Sequence, residues 1–171
     1  MTFRELGNVP EFEFTPEVTR LDHFSSMTGI KTKDKSVVTE KGGTLRIVME
    51  ELTAENLALA LGGAVTQNTA GQDEIDILSE DAIAARVKFV GINDVGKKAT
   101  WLFDRVEFAP SAAVNPISDE WMQFEISGGV LAVAGSFGTV TFDDQSTAGD
   151  DPPDVLNYTI GKGTVSIEVI V

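Results

Sequence analysis

Residues 7–63 read GNVPEFEFTPEVTRLDHFSSMTGIKTKDKSVVTEKGGTLRIVMEELTAENLALALGG, and the fold is decided there. From Glu11 to Val18, Phe12 and Phe14 alternate with acids, the period-two pattern of a half-buried strand. Pro16 has no N–H to give a ladder, so it confines that strand to an edge or bends it. Thr44 to Leu52 alternates more strictly: Leu45, Ile47 and Met49 face one way, Thr44, Arg46 and Glu50 the other. Thr53 then has the side chain of a helix N-cap, and Glu55 lies in the first turn, at the positive end of the helix dipole. Leu57, Leu59, Ala60 and Leu61 supply an apolar side, and Gly62-Gly63 closes the helix. One packed α-helix over about 53–62 is predicted. Between the two strands, about 19–41 has no helical period and reads as a long extended arm or loop. Its apolar points are Leu21, Phe24, Met27, Ile30, Val37 and Val38. A segment of this length without structure of its own is uncommon in a compact domain, where it is as a rule functional or disordered.

Outward from this stretch the pattern stays β. Residues 64–78 are polar and read as loop with one short strand at the end. Ala85 to Ile92 forms a strand with Val87 and Phe89 on one face. Asn93-Asp94-Val95-Gly96 turns it into Lys98 to Phe108, a hairpin by turn chemistry. In that second strand Trp101 and Phe103 share one face and Leu102, Val106 and Phe108 the other, so both faces are expected to be covered. Met122 to Ser127, a Gly128-Gly129 turn, Val130 to Ala134, Phe137 to Phe142 and Gly163 to Val171 complete the strands. The expectation is a mainly β fold, a β-sandwich or barrel with one packed helix, as a single domain over 1–171.

The 171 residues include no cysteine, which excludes disulfides and thiolate metal sites. The N-terminus lacks the basic start and apolar run of a secretory signal, and no stretch approaches the ~20 apolar residues of a membrane span. Neither export nor a membrane partner is expected. Thirteen bases against 27 acids give a net charge of -14, opposite in sign to that of an ordinary nucleic-acid binder. The imbalance is uneven, since residues 111–171 carry nine acids and one base.

No motif carries catalysis. Asp143-Asp144 and Asp150-Asp151 lack the spaced ligands of a calcium loop and read as a solvated acidic loop. His23 is the single histidine, too few for zinc. With Asp22 and Ser25 or Ser26 it shows no nucleophile-elbow pattern and reads as a turn or interface residue. GSFGTV (135–140) and IGKGTV (160–165) lack phosphate-loop spacing and read as turns. Catalytic, cofactor and metal sites are all expected to be absent. Lys31, Lys33 and Lys35 alternate, which places them on one face of the arm, suited to an acidic surface on a neighbouring subunit such as that of the C-terminal third.

The acidic opening EFEFTPEV, the LDHFSS turn, the charged IKTKDKSVVTEK arm and the strand-helix unit TLRIVMEELTAENLALALGG together resemble the tail tube (major tail) proteins of long-tailed bacteriophages, over about a third of the chain. The resemblance implies a non-enzymatic structural subunit, a tail-tube-type β-sandwich or barrel. Hexameric rings of it stack into a hollow tube in the virion tail, assembled in the host bacterial cytoplasm. It implies as partners the tape measure, tail terminator and tail tip proteins, and double-stranded DNA that passes through without specific binding. Acidic walls would repel that DNA over a Debye length of ~8 Å, so that it slides. The arm would reach the next ring through Phe24, Ile30, Lys31, Lys33, Lys35 and Val37, and Glu107, Glu125 and Glu168 would face the lumen. The related tubes of gene transfer agents and type VI secretion systems are the alternative. A monomeric β-sandwich ligand-binding module is the more distant one.

Overall fold

A computed structural model describes residues 2–27, 29–92, 98–110, 113–117, 121–143 and 163–170. The chain is mainly β. In order it forms β1 (Arg4–Glu5), β2 (Glu11–Ser25), β3 (Thr32–Met49), α1 (Ala54–Leu61), β4 (Ala64–Gln67), β5 (Asp73–Asp76), β6 (Ile83–Gly91), β7 (Lys98–Ala109), β8 (Phe124–Val130), β9 (Gly138–Asp143) and β10 (Gly163–Val169).

One antiparallel sheet runs β1-β10-β6-β7-β8-β3-β2, with β9 also on β7, and β4-β5 is a separate hairpin. Consecutive strands β1 and β2 sit at opposite ends of that order, so residues 6–10 carry the chain from one edge to the other. Leu6 N donates to Val165 O at 3.0 Å on one side of this crossing, and Glu50 N donates to Asn8 O at 3.0 Å on the other. The sheet is therefore rolled, with its two edges brought together by the N-terminal segment. Phe12 stacks on Phe89 with centroids 5.2 Å apart, and Phe14 meets Phe103 at 5.0 Å, across the roll. Leu45, Ile47 and Met49 are fully buried inside it with Val87, Phe108 and Ile167, as the alternation in β3 and β10 requires. Pro16 lies in β2, the outermost strand, the place in a sheet that tolerates a residue with no N–H to give.

The helix forms as its caps dictate. Thr53 Oγ1 accepts from Asn56 N at 3.2 Å, Gly62 takes the left-handed conformation (φ 60°), and Gly63 N reaches back to Ala58 O at 2.9 Å. The buried side differs from the expected one. Leu59 and Ala60 enter the core, whereas Leu57 and Leu61 are only half-buried. The inward row begins with Asn56, whose Nδ2 donates to Leu6 O and Glu51 O, each at 3.0 Å, and whose Oδ1 accepts from Arg4 Nη1 at 2.5 Å. With its polar atoms paired to the N-terminal segment and to Glu51 just before the helix, Asn56 is buried without an unmet hydrogen bond.

Three further expectations are corrected. In β7, Phe103, Val106 and Phe108 all point into the core, because Ala85 pairs with Val106 and Val87 with Phe103. One extra residue in β7 at Asp104–Arg105 makes a bulge that flips the later side chains to the other face. Gly128-Gly129 makes no turn: both lie inside β8, paired to Leu45 and Thr44. A Cβ on Gly128 would stand 2.6 Å from Glu107 O, so glycine is there to let strands approach. The chain then leaves the ladder, and Val133 and Ser136 exchange two hydrogen bonds around Ala134 and Gly135, both at positive φ. A tight hairpin replaces the strand expected over Val130 to Ala134. Residues 64–76 form the β4-β5 hairpin, with Asn68 Oδ1 accepting from Ala70 N and Gln72 N in the loop. The Asn93–Gly96 turn and all of the acidic loop after Asp143 lie outside the described residues.

Candidate assembly interface

The arm is a β-ribbon. Thr44–Val48 pair with both β2 and β8, but Thr32–Gly43 pair with β2 alone, so Pro16–Ser25 and Thr32–Gly43 project from the rolled sheet as two strands. Ten residues at ~3.3 Å each give a projection of about 33 Å. Residues 39 and 34 are unmatched extras, because Thr19 pairs with Glu40 and Arg20 with Val38, then His23 with Lys35 and Phe24 with Lys33. Two bulges on one strand bend and twist the ribbon.

The second bulge overturns the expectation that the lysines share a face. Cross-strand partners lie on one face; His23 and Phe24 face opposite ways, and so do Lys35 and Lys33. Lys33 Nζ sits 2.7 Å from Asp22 Oδ2, and its hydrogen bond, with one from Ser36, holds the Asp22 carboxyl below its ordinary range. His23 Nδ1 lies 2.6 Å from the bulged Asp34, which makes His23 a strand residue of the arm and not part of a turn. Lys31 and Ile30 belong to the tip, beyond the ladder.

Apolar side chains stand out from both faces of the ribbon. Phe24, Val18 and Val38 share one face, Leu21 and Val37 the other, and Met27 and Ile30 crown the tip; Met27 is 96% exposed and Ile30 72%. A two-stranded hairpin is marginal in water by itself, and this one carries its apolar residues uncovered.

Glu107, Glu125 and Glu168, the acids expected to face a lumen, share the outward face of the rolled sheet, and each is matched with an arginine. Glu125 Oε2 meets Arg46 Nε at 2.8 Å, Glu107 Oε1 meets Arg105 Nη2 at 2.8 Å, and Glu168 Oε2 lies 3.4 Å from Arg86 Nη1. Arg46 also binds Glu11 at 2.6 Å, with Glu13 at 3.7 Å, while Arg86 lies 4.0 Å from Asp104. Hydrogen bonds to Glu11 and Glu125 raise the Arg46 pKa above its ordinary value. Six carboxylates and three arginines thus form a paired band across six strands. Glu168 is the most buried of the three, at 8% exposed. The charge of this band is muted by the pairing.

Among the described residues, no group of three or more His, Asp and Glu side chains converges on a metal position. The family described as "Protein of unknown function UCP028589" matches residues 1–74, a span that contains β1, the whole arm, α1 and β4. No curated protein matches the chain.

Proposed function

We propose that the chain is a self-assembling structural subunit of the phage tail-tube type, whose hexameric rings stack head to tail into a hollow tube for double-stranded DNA. The observation that carries this reading is the arm: a ribbon of about 33 Å with uncovered apolar residues on both faces and at the tip. Surfaces of this kind mark contacts with another molecule. A contact between an arm and a different part of the next copy is heterologous, so it propagates into a filament. The long free edge of β2 supports the same reading, because exposed edge strands pair with other chains unless protected.

The paired band refines the electrostatic part of the proposal. If the outward face lines the lumen, the paired band within it keeps an excess of three negative charges per subunit, and its arginines are held by carboxylates and not free to grip DNA. Tape measure, terminator and tip proteins are the partners this role requires. Electron microscopy of the concentrated protein tests it: hollow tubes of stacked sixfold rings are expected, and a stable dispersed monomer contradicts it.

A further inference from the structure

The two ends of β3 differ in charge. The arm, residues 19–41, carries five bases and three acids in a chain whose net charge is -14. At the other end β3 leads into α1, and residues 47–85 carry eight acids and no base. From Ile30 to Met49 the strand spans about 60 Å at ~3.3 Å per residue, so the basic tip and the acidic end cannot meet within one molecule. A second copy stacked head to tail brings them together.

The acidic end also holds a receptacle. A groove of ≈ 420 Å³ opens beside α1, between the start of β6, β4 and the end of β10. Leu59, Val65, Ile83 and Ile170 give it an apolar floor, and Glu55 and Glu80 stand at its rim. Arg4 also lines it, but that guanidinium is committed to Asn56 Oδ1 at 2.5 Å, beside Glu55. An apolar floor with an acidic rim matches an apolar tip flanked by lysines.

We infer that this groove is the receptor for the arm of the next copy, with Met27 and Ile30 seated on the apolar floor and Lys31 and Lys35 facing Glu55 and Glu80. This deepens the tube reading and rests on it. The apolar burial supplies affinity, and the charges set orientation and reject the reversed stacking, in which like ends meet. The groove lies within the same molecule's opposite pole, so each copy offers one arm and one receptor and the chain of contacts does not close on itself.

The chain has no cysteine, so a designed pair reports without background. Full-length protein carrying Ile30→Cys and Val65→Cys is assembled, oxidised and run without reductant. A ladder extending well past the dimer is expected, lost on reduction. The control, Ile30→Cys with Val140→Cys, places the second thiol on β9 at the arm end and gives no ladder. In parallel, Glu55→Lys with Glu80→Lys raises the protein concentration needed for assembly by about tenfold or more. Adding Lys31→Glu and Lys35→Glu to that chain brings it back toward the original, a rescue that misfolding would not produce. Tubes that form but give no ladder, or an equal ladder from the control, overturn the groove and leave the tube reading standing. Protein that never polymerises overturns both.

Discussion

Phe12 and Phe89 stack with ring centroids 5.2 Å apart and planes 17° from parallel, although their strands β2 and β6 are separated by β7, β8 and β3 in the sheet. The contact holds the rolled sheet shut at its seam. Phe12→Ala should destabilise the subunit by about 3 kcal/mol, the lower end for a large aromatic because the ring is only half-buried. Urea denaturation at constant m-value measures it.

On α1 the buried leucine is Leu59, with Leu57 and Leu61 half-buried. Leu59→Ala should cost about 2–5 kcal/mol and each of the other two clearly less. Equal losses at all three would mean that α1 packs in a different rotation.

Adjacent glycines in β8 should respond in opposite ways. Gly128→Ala forces a Cβ against Glu107 O and the Phe108 ring and should cost about 1–3 kcal/mol. Gly129→Ala meets nothing within 4 Å and should be neutral or stabilise by about 0.4–1 kcal/mol through the unfolded chain. Melting curves of the pair decide it.

The arm should loosen in acid. The folded pKa of Asp22 lies below its ordinary value of 3.8, so its contribution is present above that value and is lost as pH falls through the lower folded one. NMR titration of the Asp22 carboxyl should show the depressed midpoint, and Lys33→Met should return it toward 3.8. An unchanged midpoint in Lys33→Met would detach the two residues.

Much of the fold was legible because period-two alternation and cap chemistry are local signals. Leu45, Ile47 and Met49 read as a core face and are one, and Thr53 and Gly62 mark the helix to within a residue. What was missed follows from bulges and long-range approach, which leave no local mark. The extra residue at Asp104–Arg105 reverses parity in β7, so an alternation counted through it assigns Val106 and Phe108 to the wrong face. Extras at Asp34 and Thr39 do the same to β3, which hid a paired ribbon inside an apparently patternless arm. Gly128-Gly129 has turn composition, and only the proximity of Glu107 shows why glycine is needed in a strand. The arginine partners of Glu107, Glu125 and Glu168 were equally out of reach: Arg46 and Glu125 are 79 residues apart in sequence.

The arm's role in assembly is tested most directly by shortening it evenly on both strands. Residues 20–39 are removed and Thr19 is joined to Glu40, its ladder partner, through Asn-Gly, a two-residue hairpin turn. Negative-stain electron microscopy of this protein beside the full chain, at matched concentration and with circular dichroism to confirm folding, is the decisive measurement. Long hollow tubes from the full chain and only rings or single subunits from the shortened one are the predicted result. Tubes of equal length from both, or no polymer from the full chain, would contradict the proposal that this is a tube subunit whose arm joins ring to ring.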